Sequence, residues 1–199
     1  MKTFEPYIEE RPQDLEVTID STDSKETITI FLNKGSSFGS NHLTTKLTID
    51  AIMSIDKKKE KNSTALDLGC GSGIITILLL KLKYKEIKSI DIDPYVLLEA
   101  RQNILSNFGH LPLAVSLTDE EIHLLDCQFN LVAVNISGNF IPGNFKTISN
   151  LVKPNGHLIL SGFNCEKEKK FINLGNQNRL ALYLKFIQKP WISLIFKRY

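Results

Sequence analysis

Residues 67 to 73 read Asp67-Leu68-Gly69-Cys70-Gly71-Ser72-Gly73, an acid and three alternating glycines. They stand where an apolar strand-like run, Thr64 to Leu68, gives way to an apolar helix-like run that begins near Ile74. A backbone that must bend sharply there and still let a ligand come close needs glycine, because a Cβ would stand in the way. The next strand-like run ends in a second pair of acids, Asp91 and Asp93. Asp91 lies 18 residues after Gly73, about the distance at which a β-α-β unit returns a carboxylate to the ribose of a bound nucleoside. The turn therefore reads as a cofactor-binding turn in an α/β sheet.

The rest of the chain supports that frame. After a polar lead-in (1–14) containing Pro6 and Pro12, two segments of period-2 patterning, Leu15 to Ile19 and Thr27 to Phe31, flank a polar stretch as in an antiparallel hairpin. Apolar residues then recur at helical spacing from Thr44 to Ile55. From Thr64 onward strands and helices alternate: strand 64–68, helix 74–83, strand 87–92, helix 95–107, strand 111–116, a short helix 119–125, strand 129–134 and a helix near 139–152. Strand 157–161, a helix near 165–174 and two strands around 179–187 and 191–198 follow. Such alternation predicts a mostly parallel seven-stranded sheet with helices on both faces. Gln188, Lys189 and Pro190 are too short a connection for a parallel crossover, so the last two strands form an antiparallel hairpin. The division expected is a short extension with a hairpin, 1–35, and one main domain, 36–199.

Composition narrows the class. In 199 residues with 42% hydrophobic content there is material for one sizeable core. The 24 basic and 22 acidic residues leave a net charge of +2, too balanced for electrostatic wrapping of nucleic acid. Lys57-Lys58-Lys59 reads as a solvated loop. Three cysteines, Cys70, Cys127 and Cys165, show neither an even count nor paired metal spacing, which argues against a disulfide framework or a zinc site and fits a reducing cytoplasm. No apolar stretch approaches the roughly 18 residues of a membrane span, and no basic start leads into an apolar signal.

Two cofactor classes use glycines after the first strand and an acid after the second. The dinucleotide fingerprint, G-x-G-x-x-G, needs a third glycine for close helix packing; counted from Gly69 and Gly71 that position is Ile74. No Gly-Lys-Ser or Gly-Lys-Thr follows, which excludes a P-loop. Four blocks in order resemble class I S-adenosylmethionine-dependent methyltransferases, and among them the ribosomal protein L11 methyltransferase family. The first, Phe38-Gly39-Ser40-Asn41-His42-Leu43-Thr44-Thr45, is similar to that family's Phe-Gly-Thr-Gly-x-His-Pro-Thr-Thr, with one residue fewer, Asn41 at a glycine position and no proline. The second joins Asp67 to Gly73 with Ser89-Ile90-Asp91-Ile92-Asp93-Pro94 and the Ala100, Asn103, Asn107 helix. Phe129-Asn130-Leu131-Val132-Ala133-Val134-Asn135-Ile136 resembles Phe-Asp-Val-Val-Val-Ala-Asn-Ile. The fourth, Leu151 to Gly162, resembles Leu-x-Pro-Gly-Gly-x-Leu-x-Leu-Ser-Gly.

The resemblance implies a Rossmann-like methyltransferase fold, S-adenosylmethionine as cofactor and S-adenosylhomocysteine as product. It assigns Asp91 to the ribose hydroxyls, Gly69 and Gly71 to the methionine end, and Thr45, Asp67, Cys70, Gly73 and Asn135 to the same cofactor site. Asn135 is also the residue it places nearest the chemistry, as a hydrogen-bond acceptor for the methyl-accepting amine; the alternative is a cap for helix 139–152. Thr44 or Thr45 could equally open the helix that follows as an N-cap. His42 could orient the loop, touch substrate or make a structural hydrogen bond. The Cys70 side chain reads as packing, since no basic partner is evident. Asp93-Pro94 has the form of a helix start, and Thr118-Asp119-Glu120-Glu121 that of a capping box, with an adenine contact as the alternative. The expected activity is N-methylation of a protein amino group. The family carries a separate substrate-holding domain where this chain has residues 1–35, so a small-molecule acceptor and a cofactor-binding scaffold without turnover are alternatives. No metal is expected.

Overall fold

The computed structural model describes residues 15–20, 27–33, 42–56, 62–137 and 139–199. The lead-in 1–14, residues Phe38 to Asn41 of the first block and the Lys57-Lys58-Lys59 run lie outside the described residues.

Strands β1 (Leu15–Asp20) and β2 (Thr27–Leu32) pair antiparallel, as their period-2 patterning predicts. Helix α1 (Leu43–Asp56) leads to the alternating core: β3 (Thr64–Leu68), α2 (Ile74–Lys81), β4 (Glu86–Ile90), α3 (Pro94–Phe108), β5 (Val115–Thr118), β6 (Phe129–Asn135) and α4 (Phe140–Asn150). Strand β7 (Val152–Asn164), helix α5 (Glu168–Gln177) and strands β8 (Leu180–Gln188) and β9 (Trp191–Arg198) complete it. The sheet order is β5-β4-β3-β6-β7-β9-β8, parallel from β5 to β7, with β9 antiparallel to both neighbours. The short connection settles the direction of β8 against β9, but not which of the two reaches β7. It is β9, inserted between β7 and β8.

Alternation along the central strands divides the core into two layers. Ala65, Leu131, Ala133, Ile159 and Ile195 face one side, where Ile52 of α1 and Ile77 and Leu78 of α2 cover them. Leu66, Val132, Val134, Leu158, Leu160, Leu194 and Phe196 face the other, under Ile141 and Phe145 of α4 and Phe171 of α5. Ile30 and Leu32 of β2, 0% and 1% exposed, join the first layer. The hairpin thus contributes to the core through its second strand. Ile30→Ala should cost about 2–5 kcal/mol of stability by leaving a cavity there. A loss of unfolding free energy in urea under a tenth of that size would show that the strand docks only loosely.

Three expectations need correction. The strand expected at 111–116 runs from Val115 to Thr118, because Pro112 makes a turn whose carbonyl accepts from Val115 N at 3.1 Å and leaves Leu113 fully exposed. The helix expected at 119–125 shrinks to a 3-10 turn, Ile122–Leu124. The capping box does not form either. Thr118 Oγ1 accepts from Glu120 N at 3.1 Å in a local turn, and the carboxylate of Glu121, the box position, lies 3.2 Å from His123 Nε2, while Glu120 pairs with Lys88 Nζ. The helix start at Asp93 does form, with Pro94 at the first position and Asp93 Oδ1 accepting from Tyr95 N at 2.9 Å. No helix among the described residues is long and apolar enough to cross a membrane.

Candidate active site

Parallel sheets bind ligands outside the carboxyl ends of their strands, and this one opens there into a cavity of about 820 Å³. Its base is Leu68, Gly69 and Gly71 from the turn after β3, with Ile90, Asp91 and Ile92 from the end of β4. Asn135, Ile136 and Phe140 follow β6, and Glu120 to His123 follow β5. His42, Thr44, Gly162 and Trp191 close one side.

The turn is held by backbone bonds. Gly69 N and Cys70 N both donate to Ile90 O, at 2.8 and 3.0 Å, and Gly73 N donates to Cys70 O at 2.9 Å. Gly69 has φ 73°, and a Cβ there would sit 2.5 Å from Ile136 Cγ1. Gly162, at φ 90°, would meet the Ile136 carbonyl oxygen at 2.5 Å. The Asn135-Ile136 turn is therefore gripped between two positions that admit only glycine. At Gly71 a Cβ would meet nothing within 4 Å, so the turn offers a bare, open floor to the cavity. Asp91 Oδ2 accepts from Gly71 N at 3.1 Å and Oδ1 accepts from Asp93 N at 3.2 Å. Each carboxylate oxygen keeps acceptor capacity for a ligand.

Asn135 ends β6 and is fixed from behind. His42 precedes α1, its carbonyl accepting from Thr45 N at 3.0 Å and its Nδ1 from Thr44 N at 3.3 Å, so His42 caps the helix and the threonines lie in its first turn. Ser161 Oγ donates to Thr44 O at 3.2 Å and anchors that turn to β7. Thr45 Oγ1, held there, accepts from Asn135 Nδ2 at 3.0 Å. The Asn135 Oδ1 is buried and has no hydrogen-bond partner among the described residues. Helix α4 begins at Phe140, after Asn139, so Asn135 does not cap it.

Of the residues singled out from the sequence, Gly69, Gly71, Asp91 and Asn135 line the cavity. Thr45 stands one hydrogen bond behind it. Asp67, Cys70 and Gly73 lie beneath the turn and do not line it. Burial and the neighbouring Asp67 and Asp91 carboxylates push the Cys70 thiol up, which makes it a packing group. Burial also pushes the Asp67 carboxyl up to about 6; its bonds with Thr76, including Thr76 Oγ1 at 2.7 Å, partly offset this, and the Asp91 charge adds to it. An acid bound more tightly to its proton when folded favours folding below its ordinary value of 3.8, and that contribution is lost as the pH rises through 6. Asp67→Asn keeps an acceptor for Thr76 and removes the titration. Its stability relative to the parent chain should therefore improve by about 3 kcal/mol between roughly pH 4 and pH 7. A difference that does not vary with pH would refute the raised value.

Sequence reasoning missed Ile136, Phe140, Asn144 and Trp191 as lining residues. Of the apolar residues in β9, Ile192, Leu194, Ile195 and Phe196 are fully buried, whereas Trp191 packs edge-on against His42, ring centroids 4.8 Å apart. Topology holds the missing signal. A strand antiparallel to β7 begins where β7 ends, at the ligand edge of the sheet. Among the described residues no Lys or Arg lines the cavity, while Asp91, Glu120 and Glu121 do. That field suits a ligand with net positive charge over a pyrophosphate.

The model of the family described as ribosomal protein L11 methyltransferase (PrmA) matches residues 4–199. The chain belongs to the ribosomal protein L11 methyltransferase family. A relative from Haemophilus influenzae (strain PittEE), named ribosomal protein L11 methyltransferase, is 38% identical over 136 residues, 68% of this chain and 44% of its own length. One of the same name from Lactococcus lactis subsp. lactis (strain IL1403) is 31% identical over 170 residues, 85% of this chain and 52% of its own. The chain thus spans about half the length of these L11 methyltransferases. The crystal structure of ribosomal protein L11 methylase from Lactobacillus delbrueckii subsp. bulgaricus superposes with a TM-score of 0.74 at 26% identity, covering 84% of each chain. The fold is that of the class I methyltransferases, and the family's cofactor is S-adenosylmethionine.

Proposed function

We propose that the chain is an S-adenosylmethionine-dependent N-methyltransferase acting on an amino group of a protein. The observation that carries the amine is the Asn135 amide. Its nitrogen is committed to Thr45 Oγ1, so its oxygen, buried and without a partner among the described residues, is left as an acceptor on a residue that lines the cavity. Unsatisfied buried acceptors cost about 1–3 kcal/mol, and a donor brought by substrate recovers that.

The residues fit the cofactor. Asp91, already fixed by Gly71 N and Asp93 N, presents its remaining lone pairs to the two ribose hydroxyls. Ile92, Val96 and Ile122 give the cavity an apolar flank for the adenine. The bare floor at Gly71 leaves room for the methionine chain. Bound there, S-adenosylmethionine supplies a methyl group on a positively charged sulfur.

What the protein must add is mostly positioning. An amine nucleophile has to be neutral, and for a lysine with a reference pKa near 10.4 that costs roughly 4.6 kcal/mol at pH 7. The Asn135 oxygen accepts one N–H and leaves the nitrogen lone pair free to be aimed, without contributing a full charge that would hold the ammonium form. Phe140, Ile136 and Trp191 supply apolar walls that exclude water from the same end. The relatives' name makes ribosomal protein L11 the first acceptor to try.

Calorimetric titration with S-adenosylmethionine and S-adenosylhomocysteine, followed by transfer of labelled methyl to L11, to lysine-containing peptides and to a set of small-molecule amines, tests this reading. Micromolar binding with label on an amine supports it. Binding with label appearing only on small-molecule acceptors replaces the protein substrate, and no binding refutes the whole reading.

A further inference from the structure

Helix α3 carries two asparagines that face β2 one turn apart, and neither is used by the cofactor site. Asn107 pairs with Phe31 as another strand would: its Oδ1 accepts from Phe31 N at 3.1 Å and its Nδ2 donates to Phe31 O at 2.6 Å. Asn103, fully buried, divides its amide between two elements. Its Oδ1 accepts from Asn33 N at 2.9 Å, just past β2, and its Nδ2 donates to Ser72 O at 2.8 Å, inside the cofactor turn. A single side chain therefore joins the end of the hairpin to the peptide next to Gly71, whose N–H in turn fixes Asp91. Ala100 closes the same face: a Cβ on Gly73 would lie 3.1 Å from its Cβ.

We propose that Asn103 is a positioning residue that couples docking of the β1-β2 hairpin to the shape of the Gly71-Ser72-Gly73 turn, so that the hairpin sets cofactor affinity without touching the cofactor. With the hairpin docked, Asn33 N fixes the Asn103 amide with its nitrogen toward Ser72. With the hairpin undocked, Asn103 Oδ1 loses the donor that fixes its orientation, and its amide is free to rotate away from the turn. Coupling of this kind is reciprocal: whatever the hairpin does for the cofactor, the cofactor does for the hairpin. The identity of the ligand rests on the function proposed above; the coupling itself does not.

The test uses the full chain and three measurements. Asn107→Ala loosens the hairpin at Phe31 and removes the bond from Asn107 Nδ2 to Asn103 O within the helix, while leaving the Asn103 side chain and the turn in place. It should weaken S-adenosylmethionine binding about threefold to tenfold, and Asn103→Leu about tenfold or more, each measured well below the variant's unfolding temperature. In unliganded protein, hydrogen exchange at Gly71 and Gly73 should accelerate in Asn107→Ala. In the parent chain, saturating cofactor should slow exchange at Phe31 and Asn33. A hairpin that serves only stability predicts a lower melting temperature for Asn107→Ala with unchanged affinity and unchanged exchange at the turn, and that result overturns the proposal. Failure of the parent chain to bind S-adenosylmethionine would refute the proposed function, and the exchange measurement on unliganded protein would still decide the coupling.

Discussion

Asp91→Ala should weaken S-adenosylmethionine binding by roughly tenfold to several hundredfold, since each hydrogen bond to a charged acceptor is worth about 1.5–3 kcal/mol. The carboxylate is already fixed by Gly71 N and Asp93 N, so the ligand does not have to order it on arrival. Removing it takes away the ribose acceptors and frees Gly71 N at the floor of the cavity. Asp91→Asn separates these losses. It retains an oxygen for Gly71 N and offers one ribose hydroxyl an acceptor, so its affinity should lie between those of Asp91→Ala and the parent chain. The fold should survive, because Asp91 lies at the cavity edge beyond the last residue of β4. Calorimetry on both variants decides the matter, and an Asp91→Ala that binds as tightly as the parent chain would remove Asp91 from the ribose.

The parts of this site legible in the sequence are those whose physics is local. Glycines at 69 and 71, an acid at the end of β4 and an Asp93-Pro94 helix start all act within a few residues of chain, and each stands in the structure as the sequence implies. Ile136, Phe140 and Trp191 were missed because their role depends on distant chain. Ile136 is placed by close approach of Gly69 and Gly162, and Trp191 by the insertion of β9 beside β7. The Thr118 to Glu121 run misled for the opposite reason: a local capping pattern was present, but Thr118 Oγ1 is taken by Glu120 N, and the Glu121 carboxylate that would have closed the box lies against His123 Nε2 at 3.2 Å. The hairpin read as an appendage because strand patterning shows that a face is apolar without showing what it packs on. Its Ile30 and Leu32 pack into the core layer that contains α2.

Asn135→Leu should lower the rate of methyl transfer to an amine by about two to three orders of magnitude, on the scale of losing one well-placed hydrogen-bonding group at a reacting centre, while changing cofactor affinity by no more than about threefold. The substitution keeps the branched four-heavy-atom skeleton of the side chain while removing the oxygen that orients the amine and the bond to Thr45. Asn135→Asp makes the sharper comparison. It keeps an acceptor at the same place but loses the donor to Thr45 Oγ1 and puts a negative charge beside the nucleophile, which stabilises the unreactive ammonium. Its rate should therefore fall less than that of Asn135→Leu at high pH and its pH-rate profile should move to higher pH. If the two variants lost activity equally at every pH, the tether to Thr45 would be what matters. If Asn135→Leu transferred methyl at the parent rate, the amine would have to be aimed by another group, and the backbone carbonyl of Ile136, next in the chain and held against Gly162, is the first to test.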